Sequence, residues 1–178
     1  MTDLRERVED DRGLLKKIQL FIPGFRGYRQ REDARIADSM LRTQVADTVK
    51  NTVIQPLEVC REDLSRALEL DLMNDMASAV AKAKTVEAKI RHAQQGYSGI
   101  SAGVRIEQDE LDSLYAIDLE VLEEVKALGS SAAQIRDTAA AGAYPELAGM
   151  LRQLTAGLQT VSEALDKRVA AAAGILVE

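Results

Sequence analysis

"LAGMLRQLTAGLQTVSEAL", residues 147–165, is the stretch of sequence that decides the fold. Its large apolar residues are separated alternately by four and three positions: Leu147, Leu151, Leu154, Leu158, Val161 and Leu165. This heptad spacing places them along one side of an α-helix, and that side packs lengthwise against another helix. The stretch therefore predicts a helix over 145–173 that packs either within the chain or across a dimer. Pro145 suits the first turn of this helix, where the missing backbone N–H has no partner to lose.

The composition of the whole chain favours the same structural class. Of the 178 residues, 46% are hydrophobic but only 3% are aromatic, so the core must be built from Leu, Val, Ile, Met and Ala. Sheets normally contain more aromatic residues, and their turns need more glycine and proline than the 11 and 3 present. We therefore predict an all-α protein.

Apolar residues recur at helical spacing in most of the remaining sequence. The pattern predicts further helices over 3–20, 30–70, 73–95 and 107–138. Pro56 lies inside the second of these helices, and we expect it to kink that helix because proline removes a backbone donor. After Pro56 the apolar stripe continues through residues that include Cys60 and Leu68. The prediction is a single domain over 1–178, an elongated antiparallel bundle of four or five helices.

Charge and cysteine content limit the partners and the compartment. The net charge of −6 argues against nucleic acid as a partner, because phosphate binding depends on clustered Lys and Arg. The charged start of the chain predicts no secretion signal, and the longest apolar run, 169–177, is too short to span a membrane. Cys60 is the only cysteine, which fits a reducing compartment. We expect a cytoplasmic protein, with association at the cytoplasmic face of a membrane as the alternative.

Few side chains in the sequence suggest catalysis. His92 is the single histidine, so metal sites and catalytic arrangements that need histidine have no local support. We expect His92 to be exposed on the last turn of a helix and Cys60 to be a small buried residue. The stretch 107–124 holds eight carboxylates and no base, which we interpret as a solvated acidic face. We predict no enzyme, catalytic residue, metal, cofactor or small-molecule substrate, and a carboxylate metal site or enzyme in 107–124 stays as an alternative.

One segment departs from the acidic character of the chain. Residues 12–31 contain no acid and carry the basic residues Arg12, Lys16, Lys17, Arg26, Arg29 and Arg31. Both phenylalanines of the chain lie here, beside Pro23 and Gly24, which should end the first helix. We predict an aromatic and basic turn over 21–29, whose candidate contact residues are Phe21, Phe25, Arg26, Tyr28 and Arg29.

Three interpretations of this segment remain open at the level of sequence. The aromatic residues could close one end of the core while the arginines are simply solvated. They could instead anchor a protein partner or a second copy of the chain, since aromatic residues and arginine are typical interface anchors. The third interpretation is contact of residues 12–31 with an anionic membrane surface. We favour a non-enzymatic scaffold or adaptor that acts through protein contacts, with a membrane-peripheral protein as the alternative.

Three stretches of the sequence together resemble a known family. They are FIPGFRGYRQREDARIADSMLR (21–42), IRHAQQGYSGI (90–100) and QDELDSLYAIDLEVLEEV (108–125). They are similar to a family of prokaryotic helical-bundle proteins with an N-terminal IPG[FY]RGY segment and a GYSG connector, for which no activity is established. The resemblance implies the helical layout and adds no catalytic residue. The proximity of some relatives' genes to those of membrane-scaffold proteins implies a role at a protein or membrane surface.

Overall fold

The computed structural model of this chain describes residues 4–24, 31–92 and 108–174. Its helices are α1 (Leu4–Phe21), α2 (Arg31–Val49), a π-helical turn (Lys50–Ile54), α3 (Gln55–Ala67), α4 (Leu70–His92), α5 (Gln108–Ala140) and α6 (Tyr144–Gly174). Because α2, the π-helical turn and α3 follow one another without a break, the described residues form five continuous helical stretches. The predicted all-α helical bundle is confirmed. The predicted helix boundaries that fall on described residues lie within a few positions of the observed ones.

The interruption expected at Pro56 lies just before the proline. Pro56 occupies the second position of α3, directly after the π-helical turn. Within this turn the hydrogen bonds span five residues, as in the bond from the Gln55 N–H to the Lys50 carbonyl. The wider turn suits a proline, which has no N–H to donate and would crowd the carbonyl four residues earlier in a regular α-helix.

The α3–α4 connection folds the chain into an antiparallel helical hairpin. Ion pairs join the two sides at increasing distance from the connection, from Glu58 to Lys84 at 2.6 Å and from Asp47 to Arg91 at 2.7 Å. Apolar residues fill the space between them, with Leu57, Cys60 and Leu64 of α3 completely buried. Leu68 is the exception to the predicted apolar stripe. It follows α3 rather than extending it, and its side chain is exposed.

The predicted heptad stripe of α6 packs within the chain. All six of its large residues are buried: Leu147, Leu151, Leu154, Leu158, Val161 and Leu165. Residues 141–143 connect α5 to α6, and Gly142 there adopts a positive φ of 73°, a conformation that glycine reaches without steric cost. Burial within one chain settles the choice that the sequence left open between packing within the chain and packing across a dimer.

Two glycines permit close approach of helices. A Cβ atom at Gly129 of α5 would lie 2.8 Å from Thr52 Oγ1 and 3.0 Å from Thr52 Cβ. A Cβ atom at Gly157 of α6 would lie 2.8 Å from Leu128 Cδ2 of α5. Helix α5 continues through Gly129 to Ala140, so this glycine serves packing and does not end the helix.

The chain groups into two compact units. Unit 1 comprises residues 1–44, 94–122 and 164–178, and unit 2 comprises residues 45–93 and 123–163. Helices α2, α5 and α6 each contribute residues to both units. The single domain over 1–178 stays a prediction.

Candidate functional site

The last two turns of α1 have one buried side. Ile18 and Ile22 are almost completely buried, and the Ile22 N–H donates to the Ile18 carbonyl at 2.9 Å, which extends the helical hydrogen bonding one residue beyond the end of α1. Each such side chain stabilises the folded state by roughly 1.5–3 kcal/mol through removal from water. Phe21 lies beside this buried side and is half-buried. These contacts hold the end of α1 in place.

The opposite side of the same turns is exposed and both apolar and basic. Leu20 is 84% exposed, the highest value among the large apolar side chains in the described part of the chain. Lys16 and Lys17 precede it by four and three positions, so they lie on the same face of the helix, and both are exposed. We call Lys16, Lys17 and Leu20 the α1 surface. The two lysines belong to the predicted basic segment 12–31, whereas the exposure of Leu20 was not predicted.

The predicted contact residues lie at this end of α1 and beyond it. Phe21 is the last residue of α1 and is followed by a turn in which Gly24 has a φ of 88°. Phe25, Arg26, Tyr28 and Arg29 lie outside the described residues. The candidate site therefore consists of the α1 surface together with a predicted continuation over 21–29.

A second group of charged side chains is buried in unit 1. Asp38 of α2 is 1% exposed and Asp118 of α5 is 2% exposed. Arg168 of α6 contacts both, with Nη2 at 2.7 Å from Asp38 Oδ1 and Nε donating to Asp118 Oδ1 at 2.5 Å. The contact with Asp38 is an ion pair without hydrogen-bond geometry. Arg42, one turn after Asp38, pairs with its other oxygen at 2.9 Å. We call Asp38, Arg42, Asp118 and Arg168 the buried ion cluster.

The buried ion cluster joins three helices with matched charge. Two carboxylates face two guanidinium groups, so no net charge is taken out of water among these four residues, although each ion still loses hydration. The arrangement corrects one expectation, because Asp118 belongs to the stretch 107–124 that was interpreted as a solvated acidic face. With its arginine partners in place, the cluster fixes how α2, α5 and α6 meet.

The sequence contains a signal for this cluster, although the cluster was not predicted. Arg168 follows Leu165 by three positions, so it occupies the next position of the heptad stripe of α6. Asp118 follows the buried Leu114 by four positions, and Asp38 precedes the buried Leu41 by three. Opposite charges at buried positions of three different helices indicate a buried ion pair.

The single cysteine and the single histidine of the sequence lie where the sequence predicted. Cys60 is buried, and its burial together with the nearby Asp63 carboxylate raises the pKa of the thiol to about 11, so it is protonated at neutral pH. His92 is the last residue of α4 and is exposed. Neither arrangement resembles an activated nucleophile.

Similarity to known proteins gives no further indication of the function of this chain. No protein-family model, curated protein or solved structure matches this chain. The resemblance to a prokaryotic helical-bundle family therefore stays a prediction. Across 4–24, 31–92 and 108–174, no helix is long and apolar enough to cross a membrane. In the same residues, no group of three or more His, Cys, Asp and Glu side chains is placed to hold a metal ion.

Proposed function

We propose that this chain is a non-enzymatic adaptor that binds a protein partner through the α1 surface and the segment 21–29. The observation that carries the proposal is the 84% exposure of Leu20 one turn after Lys16 and Lys17, on a helix whose other side is fixed in the core. An exposed leucine beside basic groups suits a partner that offers an apolar pocket with acidic groups around it.

The buried carboxylates and the buried thiol support a structural rather than a catalytic role for the core. The buried carboxylates Asp38 and Asp118 are in contact with arginines, and such pairs orient helices rather than exchange protons with a substrate. The thiol of Cys60 is buried and protonated. Function is therefore assigned to surfaces, and the α1 surface combines two exposed lysines with the most exposed large apolar side chain of the described residues.

An anionic membrane is the second candidate for the same surface. A basic helix with exposed apolar side chains can lie at the headgroup level, where each Lys or Arg adds about 1 kcal/mol of attraction. Lys16, Lys17 and Leu20 are arranged in this way. The protein interpretation is preferred because Ile18, Ile22 and the half-buried Phe21 keep most of the apolar area of this part of α1 within the fold.

The test is site-specific photo-cross-linking in cells that express the full chain. A photoreactive leucine analogue replaces Leu20, and the matched control carries the analogue at Val169, an exposed apolar position of α6. We expect a discrete protein adduct from position 20 that is absent from position 169. The adduct should disappear when Lys16→Glu and Lys17→Glu are introduced together, because charge reversal repels an acidic partner.

Two outcomes would contradict the adaptor proposal. If position 20 yields no protein adduct beyond that of position 169, the α1 surface has no protein partner. If the purified chain also floats with vesicles that contain anionic lipid, and Lys16→Glu/Lys17→Glu abolishes flotation, the membrane interpretation replaces the protein one.

A further inference from the structure

The corner between α3 and α4 has a backbone that favours glycine but carries leucine. Leu68 has a φ of 61°, in the left-handed region. Its N–H donates to the Ser65 carbonyl at 3.3 Å, and the Glu69 N–H donates to the Leu64 carbonyl at 3.0 Å. This pair of bonds is the Schellman arrangement that ends many helices, where glycine is the usual residue because it has no Cβ to clash. Leu68 therefore holds a conformation that costs it steric strain.

The leucines of this corner do not contribute to the core. Leu68 is 76% exposed, and Leu70, the first residue of α4, is 68% exposed. The Leu68 side chain lies mostly in water, and glycine would adopt the same backbone conformation with less strain. Two large apolar side chains in water at one corner suit an apolar contact with another molecule.

The charges around these leucines are acidic. Glu69 and Asp71 flank Leu70, and Asp75 lies one turn further along α4. The nearby Arg66 is held by Glu62 and Asp63 through contacts of 3.3 and 3.0 Å. Within the part of the chain that the structure describes, Glu69, Asp71 and Asp75 have no ion pair. We call Leu68, Glu69, Leu70 and Asp71 the α3–α4 corner.

We propose that the α3–α4 corner binds the α1 surface of a second copy of this chain. The two surfaces are complementary, since one offers exposed Leu68 and Leu70 with Glu69 and Asp71, and the other offers exposed Leu20 with Lys16 and Lys17. Apolar side chains meet in the centre while opposite charges at the edge set the orientation and increase the rate of association. This inference rests on the proposed function of the α1 surface and names its partner.

The contact is heterologous, because two different surfaces of the chain meet. A dimer formed in this way keeps one α1 surface and one α3–α4 corner unoccupied, so association continues to larger assemblies unless a ring closes. The apolar area is small, so the association is weak and sensitive to ionic strength. Assembly is therefore expected at high protein concentration and low salt.

The test is sedimentation velocity of the purified full chain, with two charge-reversal variants measured alone and mixed. One variant is Lys16→Glu/Lys17→Glu, and the other is Glu69→Lys/Asp71→Lys. We expect the wild-type chain to associate at low salt and each variant alone to associate about tenfold more weakly, because attraction becomes repulsion. An equimolar mixture of the two should regain association, since the reversed corner of one variant then faces the reversed α1 surface of the other.

Matched controls change the same charge elsewhere. Arg152→Glu/Lys167→Glu repeats the first change on exposed positions of α6, and Glu120→Lys/Glu123→Lys repeats the second on exposed positions of α5. Both controls should associate like the wild type. Equal loss in variants and controls would show a general charge effect and overturn the proposed contact.

A second variant separates folding from association. Leu68→Gly should raise the melting temperature by about 2 °C because it relieves left-handed strain. The same change should weaken association, because it removes an exposed apolar side chain from the contact. A Leu68→Gly chain that melts higher and associates as strongly as the wild type would remove the corner from the interface.

The inference and the proposed function can fail separately. A wild-type chain that stays monomeric at low salt and high concentration, or a variant mixture that does not regain association, overturns self-recognition. If position 20 nevertheless cross-links to a different protein in cells, the adaptor proposal stands with another partner. If position 20 yields no adduct and the chain stays monomeric, both proposals fall.

Discussion

Both units bury apolar side chains, but the buried carboxylates among the described residues belong to unit 1. In unit 1, α2, α5 and α6 meet around the buried ion cluster, where Arg168 lies between two carboxylates. In unit 2, the buried layer consists of aliphatic side chains, Met76 and the neutral Cys60, and two glycines allow close approach of helices. The ion pairs of unit 2 lie nearer the surface, as in Glu58 with Lys84.

The difference indicates what selects a single packing arrangement in a bundle with few aromatic residues. Aliphatic layers accept several arrangements of similar energy, because dispersion and burial have little directionality. A buried carboxylate without its guanidinium partner is strongly disfavoured, so the cluster of unit 1 excludes arrangements that separate the partners. We infer that the cluster contributes more to the choice of one packing than to net stability.

The largest expected effect comes from breaking the buried ion cluster. Arg168→Met should lower the free energy of unfolding by about 3–5 kcal/mol, because the carboxylates of Asp38 and Asp118 stay buried after this guanidinium partner is removed. Urea denaturation followed by circular dichroism measures the loss. Lys167→Met, an exposed neighbour on α6, is the control and should change stability by less than about 0.5 kcal/mol.

Replacing the whole cluster sharpens the same comparison. A chain with Asp38→Leu, Arg42→Met, Asp118→Leu and Arg168→Met should recover most of the stability that Arg168→Met loses, because no charge remains buried. If the fourfold variant is as unstable as the single one, the cluster stabilises the fold by more than charge matching, and the inference about packing choice is wrong.

The second effect concerns the buried thiol of Cys60 in unit 2 and depends on pH. The pKa of the Cys60 thiol is raised by burial and by Asp63 from 9.0 to about 11 in the folded chain. The unfolded chain loses its thiol proton near pH 9 and the folded chain near pH 11, so this contribution to stability is complete below pH 9 and lost as the pH rises to 11. The loss should reach about 2–3 kcal/mol.

Urea denaturation at several pH values between 8 and 11 measures this dependence. Cys60→Ala is the control, and its stability should fall less steeply across the same range because it has no thiol to ionise. Equal slopes for the two chains would show that Cys60 ionises in the folded chain as readily as in water.

A smaller effect tests the close approach of helices in unit 2. Gly129→Ala should destabilise the chain by about 1 kcal/mol, because the clash of its Cβ with Thr52 outweighs the higher helix propensity of alanine. Gly149→Ala on α6 meets no atom within 4 Å and should stabilise by up to about 1 kcal/mol through propensity alone. Thermal melting compares the two, and a stabilised Gly129→Ala chain would mean that Thr52 moves aside without cost.

The smallest effect is expected from a partly exposed ion pair. Lys84→Met removes one of two ion-pair partners of Glu58, the other being Arg61, at a site where the lysine side chain is 57% exposed. The expected loss is about 0.2–1 kcal/mol, and it should shrink further in 1 M salt. Thermal melting at low and high salt measures it. A loss as large as that of Arg168→Met would erase the distinction between the two units.

Periodicity alone was sufficient to predict the helices and most of the core. The stripe of α6 and the burial of Cys60 follow directly from spacing, because burial of one helix side is the dominant favourable term. Leu68 was wrongly included in the core because spacing does not reveal where a helix ends, and a leucine in the left-handed conformation is a rare end. The buried ion cluster was missed because charged residues were interpreted within one helix at a time, whereas its partners come from three.

The candidate site was predictable only in part. Clustered basic and aromatic residues pointed to the end of α1, but the exposure of Leu20 depends on which side of α1 the core occupies. Ile18 and Ile22 take the buried side, which leaves Leu20 in water. The acidic character of the α3–α4 corner is visible in the sequence, whereas the exposure of its leucines requires the fold.

The π-helical turn determines which side of the continuous helix formed by α2, this turn and α3 carries the buried residues. Its buried residues Leu41, Val45, Val49, Val53 and Leu57 follow one another at intervals of four, and four residues of regular α-helix rotate by about 40° more than one full turn. Repeated intervals of four would therefore carry the apolar side steadily around the helix and away from its neighbours. The wider turn at 50–54 rotates less per residue and brings Leu57 back to the buried side. If residues 50–54 were regular α-helix, each would rotate the chain by about 100° and the residues after them would turn further around the axis, so the geometry of this turn determines which face of α3 is covered.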